Sequence, residues 1–291
     1  MEIIVARNSG FCYGVRRALQ LARKTGKKAR RGIFSWGEII HNPEVIQELE
    51  KEGIQVATSL SQLQAGDTVI IRSHGVSPAV YRALRRKKVK LVDATCPIVK
   101  KIQQLVDRLS RQTGEIIIVG NKNHPEIQGL LGYSRKKALV VENEEQARTL
   151  PFKKKRAVLA QSTQDGQLFS QVVAALVEKT AELQVYNTIC QSTRVRQVAT
   201  ARLAGEVEAL LIIGGKNSSN TNKLYQISRR LLPRTYFIES PEEITPDMLQ
   251  GVNKIGLSGG ASTPPEVIKK TVAAISHSFQ QNSNQEKVTH D

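Results

Sequence analysis

Short apolar runs alternate along the chain with longer stretches in which apolar residues return every three or four positions. This alternation predicts β-strands leading into amphipathic helices. Three strands, Glu2–Ala6, Val89–Val92 and Leu183–Tyr186, share a further feature: each runs into a polar turn that ends on a cysteine. The turns are Arg7-Asn8-Ser9-Gly10-Phe11-Cys12, Asp93-Ala94-Thr95-Cys96 and Asn187-Thr188-Ile189-Cys190. Helical spacing follows each turn, through Val15, Leu19 and Ala22, through Ile98, Ile102, Leu105, Val106 and Leu109, and through Val195, Val198 and Leu203. Pro97 suits the first helical position, where its missing N–H is not needed. Each cysteine is therefore expected where a strand hands over to a helix, beside unpaired amide donors and the positive end of the helix dipole. Such a place favours thiolate over thiol.

The pattern recurs with a period of about 90 residues and extends beyond the cysteines. After each helix comes a second apolar strand ending in a polar motif. In the first unit it is Ile39-Ile40-His41-Asn42-Pro43-Glu44. In the second, Ile116–Val119 leads into Gly120-Asn121-Lys122-Asn123-His124-Pro125-Glu126, and in the third, Leu210–Ile213 leads into Gly214-Gly215-Lys216-Asn217-Ser218-Ser219-Asn220. His41 falls 29 residues after Cys12, His124 falls 28 after Cys96, and Ser218 falls 28 after Cys190. A third strand and turn closes each unit: Val69–Ile71 with Arg72-Ser73-His74-Gly75, Ala157–Ala160 with Gln161-Ser162-Thr163, and Ile255–Ser258 with Gly259-Gly260-Ala261-Ser262.

Strands alternating with helices imply parallel sheets in right-handed βαβ units, whose ligands bind outside the carboxyl ends of the strands. The expected architecture is α/β, with three similar small parallel-sheet domains in pseudo-threefold arrangement around one central pocket. Their expected spans are residues 14–95, 96–189, and 190–279 together with 1–13. Residues 280–291 are polar and aperiodic, and are expected to form a disordered tail.

Composition changes this picture little. The 291 residues are 40% hydrophobic but only 4% aromatic, so the cores should be built from Val, Ile, Leu and Ala. No apolar run approaches the ~20 residues that span a bilayer, and Met1–Ala6 shows neither a basic region nor a cleavage site, so a cytoplasmic protein is expected. The net charge of +17 is scattered over clusters such as Arg23-Lys24, Arg30-Arg31, Arg85-Arg86-Lys87-Lys88 and Lys153-Lys154-Lys155-Arg156, outside any nucleic-acid module. Solvated basic faces are the favoured reading, then attraction of an acidic protein partner, then nucleic acid.

Three cysteines in a reducing compartment do not make a disulfide framework. Burial as small hydrophobes, structural zinc and an iron–sulfur cluster remain open. Three equivalent placements favour metal over burial. Zinc wants a fourth protein ligand, whereas three thiolates can hold three irons of a [4Fe–4S] cluster and leave the fourth open to substrate. Around the cysteines, His41, His74 and His124 occupy turns at strand ends. Asn217-Ser218-Ser219-Asn220 either caps a helix or binds phosphate at its N-terminus. Glu126 stands beside His124, where burial would raise its pKa and suit it to deliver a proton; an exposed loop acid is the alternative. Glu44 is its weaker counterpart in the first unit.

Taken together, these motifs resemble the 4-hydroxy-3-methylbut-2-enyl diphosphate reductase (IspH/LytB) family of the methylerythritol phosphate pathway. The resemblance runs from Gly10-Phe11-Cys12-Tyr13-Gly14-Val15 to Gly260-Ala261-Ser262-Thr263-Pro264. It implies three α/β domains around one [4Fe–4S] cluster held by Cys12, Cys96 and Cys190. The implied reaction removes the allylic hydroxyl reductively, giving isopentenyl and dimethylallyl diphosphate. The resemblance further implies that His41, His74, Ser218, Ser219, Asn220 and Ser262 hold the diphosphate. Thr163, His124 and Glu126 would then surround the hydroxyl end, with Glu126 in the proton path. Electrons would come from a ferredoxin or flavodoxin, since no flavin or nicotinamide fingerprint follows a strand. Ser35-Trp36-Gly37-Glu38 is less usual for the family and receives no role from it.

Two rivals make different predictions. A quinolinate synthase-like three-cysteine (de)hydratase would want arginines in its motifs, and only Arg72 is available. A basic nucleic-acid-binding metalloprotein would bind DNA or RNA in a salt-sensitive way.

Overall fold

Near-continuous β-branched runs such as Val69-Ile70-Ile71 and Ile116-Ile117-Ile118-Val119 are buried over their whole length, as strands covered on both faces must be. The computed structural model describes the backbone of residues 2–112 and 114–286 and the side chains up to His277. In chain order its elements are β1 (Glu2–Val5), α1 (Tyr13–Gly26), β2 (Ile33–Trp36), α2 (Pro43–Lys51), β3 (Ile54–Ala57), β4 (Thr68–Ile71), α3 (Pro78–Arg86) and β5 (Lys90–Asp93). There follow α4 (Pro97–Gln112), β6 (Glu115–Val119), α5 (Pro125–Tyr133), β7 (Ala138–Val141), α6 (Glu144–Arg148), β8 (Lys153–Ala160), α7 (Gly166–Val177) and β9 (Thr180–Tyr186). The chain continues through α8 (Gln191–Ala204), β10 (Ala209–Ile213), α9 (Ser219–Leu231), β11 (Thr235–Ile238), α10 (Pro246–Leu249), β12 (Lys254–Gly259) and α11 (Pro265–Glu286).

The strands form three four-stranded sheets of orders β3-β2-β4-β5, β7-β6-β8-β9 and β11-β10-β12-β1, with every pairing parallel. The strand leading to a cysteine lies at the same edge each time. β5 pairs with β4, β9 with β8, and β1 with β12 in the register Glu2↔Lys254. The opposite edges, β3, β7 and β11, are not expected from the pattern. Each is four residues long, has one neighbour and is only partly buried. The second strand of the first unit is Ile33–Trp36, upstream of the expected Ile39-Ile40. Those two isoleucines are 0% and 1% exposed but lie in the turn that follows, where they pin a loop to the core. In α8 the periodicity is misleading, because Val195 and Val198 are 41% and 70% exposed while Leu203 is buried.

Two compact units result. Tyr13–Thr193 forms one, with the first two sheets; the residues through Cys12 and from Arg194 onward form the other, with the sheet that joins β1 to β12. Within the larger unit, α5 packs against α4 and the start of α3. Gly129 faces Val76, and a Cβ on Gly132 would collide with the side chain of Ser77, so small residues set this close approach. α11 continues to Glu286, inside the stretch expected to be a disordered tail, and residues 287–291 lie outside the described residues. No helix among the described residues is long and apolar enough to cross a membrane.

One member of a basic run is not on the surface. Arg156 is fully buried in β8, with Nε 2.6 Å from Glu115 and Nη1 and Nη2 each 2.7 Å from the carbonyls of Lys179 and Pro151. The planar guanidinium ties β6, β9 and the preceding loop to one strand. Arg156→Met should lower stability by about 3 kcal/mol, because it strands a carboxylate and two carbonyls. Denaturant unfolding checks this, and an unchanged midpoint would show that the ion pair contributes nothing net.

Candidate active site

The three cysteines are not joined in disulfides, and each is partly exposed. Each is held in the same way, by its own backbone N–H donating to a carbonyl in the turn that closes the neighbouring strand of its sheet. In the larger unit Cys96 donates to Ser73 and Cys190 to Ser162, both at 2.9 Å; in the other unit Cys12 donates to Ala261 at 3.1 Å. Ser73, Ser162 and Ala261 are equivalent positions in the repeated turns Arg-Ser-His, Gln-Ser-Thr and Gly-Ala-Ser. The repeat is thus a repeat of hydrogen bonding as well as of sequence. Around Cys96, Asp93 accepts from Thr95 N and Tyr81 Oη at 3.0 Å and from Lys100 Nζ at 2.5 Å, which locks the turn. Burial opposes ionisation of Asp93, but the bonds from Lys100 and Thr95 prevail and hold it below the usual carboxylate range. Cys190 accepts from Thr193 N at 3.3 Å, an N–H···S bond from the first turn of α8. On the Cys12 side, buried Arg196 donates to Gly10 O at 2.5 Å.

The larger unit gathers His41, His74 and His124. The rings of His41 and His74 stack at 4.4 Å, and His124 stands edge-on to them at 5.5 and 5.3 Å. Local sequence explains each position. Asn42 caps α2 by accepting from Val45 N, with Pro43 in the first turn, and His124 itself caps α5 ahead of Pro125. The cap also sets chemistry: Nδ1 of His124 accepts from Glu126 N at 3.1 Å, so the proton of the neutral ring sits on Nε2. Burial, followed by the charges of His41 and Arg72, pushes His124 down to about 3. Burial also takes His74 well below its ordinary value, with His41, His124 and Arg72 adding to the effect. Two neutral imidazoles at physiological pH are N–H donors that need no counter-ion, and His74 Nδ1 is buried without a partner among the described residues.

Glu126, in the first turn of α5, is 1% exposed. Its two oxygens accept from Ser162 N at 2.7 Å and Ser162 Oγ at 2.6 Å. Burial raises its pKa despite these bonds. The same Ser162 carbonyl accepts from Cys190, so one serine links the carboxyl group to a cysteine turn. Thr163 is the next residue, with its Oγ1 accepting from Gln161 Nε2 at 2.9 Å. Glu44 is exposed on α2.

In the other unit, Ser218 caps α9, and Ser262 Oγ donates to Ser218 Oγ at 3.2 Å. Ser219 and Asn220 open the helix. Asn220 is 4% exposed, and neither its Oδ1 nor its Nδ2 has a partner among the described residues. A buried amide left unsatisfied costs about 1–3 kcal/mol, which a ligand at the helix N-terminus would recover.

Ser162 and Glu38 stand in motifs that the sequence displays, but sequence reasoning gave neither a role. Glu38 Oε2 lies 3.0 Å from His41 Nδ1. Ser162 is the middle residue of the Gln-Ser-Thr turn, and its place in that repeated turn is the one signal that pointed to it.

Parallel sheets whose carboxyl-end turns carry cysteines, histidines and a buried carboxyl group have the layout of an α/β enzyme. The LytB protein family matches residues 3–276, and the chain belongs to that family. Curated relatives include the 4-hydroxy-3-methylbut-2-enyl diphosphate reductases of Aquifex aeolicus and Geobacter metallireducens, each 42% identical, covering 94% of this chain and 96% and 97% of theirs. A solved (E)-4-hydroxy-3-methyl-but-2-enyl diphosphate reductase, described as the terminal enzyme of the non-mevalonate pathway, is 41% identical with a TM-score of 0.68, covering 95% of this chain and all of its own. The corresponding reductase from Plasmodium falciparum, 29% identical, has a TM-score of 0.89 over 94% of this chain and 87% of its own.

Proposed function

We propose that the protein reduces (E)-4-hydroxy-3-methylbut-2-enyl diphosphate to isopentenyl and dimethylallyl diphosphate, consuming two electrons and two protons and releasing water. The observation that carries this reading is the end-to-end likeness to reductases of that name at 42% identity. Three partly exposed thiols at equivalent turns, none in a disulfide and one already accepting a helix N–H, are a suitable donor set for a [4Fe–4S] cluster, with Cys12, Cys96 and Cys190 as ligands. When bound, such a cluster supplies electrons and Lewis-acid chemistry that no side chain offers.

The chain's own residues do the rest. His124 donates from Nε2 to the substrate, as its cap tautomer requires. His41, His74, Ser218, Ser219, Asn220 and Ser262 bind the diphosphate, with burial holding His74 as a neutral donor. Thr163 and Glu126 attend the hydroxyl end, and Glu126, which burial keeps protonated to higher pH than an ordinary carboxyl group, delivers a proton. The three histidines each place a nitrogen within 4.8 Å of the others, which invites a second reading as a divalent-cation site. The cap bond argues against it, because a ring whose Nδ1 accepts an N–H carries its proton on the nitrogen that would have to ligate.

Anaerobic reconstitution, an iron–sulfur spectrum and turnover of the hydroxybutenyl diphosphate with a reduced viologen test the whole reading. A cluster without turnover, or no cluster, overturns it. The electron donor is taken to be an acidic ferredoxin or flavodoxin of the cytoplasm, docking on the strongly basic surface of a chain with net charge +17. Its reduction rate should fall severalfold from low to high salt, as screening weakens encounter. A rate indifferent to salt removes the docking idea while leaving the viologen assay unaffected.

A further inference from the structure

The segment Ser35-Trp36-Gly37-Glu38 ends β2 and enters the turn that carries His41. Gly37 adopts φ +70°, a left-handed conformation open to glycine, and its α-carbon lies close against the guanidinium of Arg72. The chain then buries Ile39 and Ile40 and is capped at Asn42, so the backbone is fixed on both sides of the pair Glu38 and His41. Glu38 Oε2 consequently sits 3.0 Å from His41 Nδ1, with the Glu38 side chain 41% exposed and His41 14% exposed. Arg72 lies near enough to the carboxylate to feel its charge.

The two histidines of this cluster that have a partner on Nδ1 are therefore held in opposite senses. Nδ1 of His124 is an acceptor, satisfied by a helix N–H. Nδ1 of His41 faces an acceptor and must donate to it. A carboxylate that takes the Nδ1 proton fixes both the tautomer and the rotation of an imidazole, the arrangement used to orient ring nitrogens toward ligands. We propose that Glu38 is a positioning residue for His41: it holds a proton on Nδ1 and turns Nε2 toward the diphosphate. This rests on the reading of His41 as a diphosphate-binding residue.

The test uses the full-length holoenzyme with the Glu38→Ala and Glu38→Gln variants. Glu38→Ala should raise KM for substrate and Kd for inorganic diphosphate about tenfold and leave kcat within about twofold. Glu38→Gln keeps an acceptor oxygen and should recover part of the affinity. Long-range ¹H–¹⁵N spectra read the tautomer directly, with His41 protonated on Nδ1 in the parent and not in Glu38→Ala. An unchanged Nδ1 signal and an unchanged KM in Glu38→Ala would overturn the proposal. If instead diphosphate moves no imidazole signal in the parent protein, the diphosphate reading of the histidines fails, whatever Glu38 does to the tautomer. Because Glu38 is substantially exposed, the variant should melt as the parent does.

Discussion

Glu126→Gln should leave the fold and the iron–sulfur spectrum intact and lower turnover about a hundredfold, the usual contribution of a positioned proton donor. The carboxyl group is 1% exposed, and burial holds its pKa up, so it is suited to carry a proton where an ordinary glutamate would be ionised. Glutamine copies the shape of the protonated acid. Its carbonyl can still accept from Ser162 N, and its amide can donate to Ser162 Oγ once that hydroxyl rotates, so the contacts now at 2.7 and 2.6 Å survive. What the amide cannot do is release a proton. Glu126→Ala separates the structural part from the chemical one, because it leaves Ser162 N–H and O–H buried and unpaired, at a cost of about 2–3 kcal/mol. Since the Ser162 carbonyl holds Cys190 N at 2.9 Å, the alanine variant should also lose iron, whereas the glutamine variant should not. Near-normal turnover of Glu126→Gln would remove the carboxyl group from the proton path.

Cys96→Ser should abolish the cluster and, with it, essentially all turnover, and Cys12→Ser and Cys190→Ser should do the same. A hydroxyl is a hard donor that stays protonated at neutral pH, so it cannot replace a thiolate toward iron. The turns should nonetheless persist, because their backbone bonds to Ser73, Ala261 and Ser162 do not involve the side chain. The melting temperature of the iron-free variant should therefore match that of the iron-free parent. Iron and sulfide content checks the assignment, and a variant that keeps four irons is not missing a ligand. Loss at one cysteine but not at the other two would contradict the equivalence read from the repeat.

Strand, polar turn and helix are encoded locally, and they are legible along the chain as changes in apolar period. Pro97 marks a helix start, and α4 begins on it. Repetition of these local signals at near-constant offsets is enough to infer three parallel α/β sheets and to select the cysteines and histidines as a set. The edge strands β3, β7 and β11 escape because each is only four residues long and ends in none of the repeated polar motifs. Arg156 passes for one charge in a solvated run because its partners, Glu115 and the carbonyls of Pro151 and Lys179, are brought to it only by folding. Partnership of Glu126 with Ser162, 36 residues away, is likewise a product of the packing of α5 against β8 and its closing turn. By itself the sequence determined the α/β class and picked out the repeated turns whose residues are proposed to carry the chemistry. The tautomer of His124 and the partner of His41 are set by residues two and three positions away. The tertiary structure alone decided burial and long-range partnership: the lowered pKa of His74 and His124, and the raised pKa of Glu126 with its bonds to Ser162. Those properties depend on packing between segments distant along the chain, which no local pattern of residues encodes.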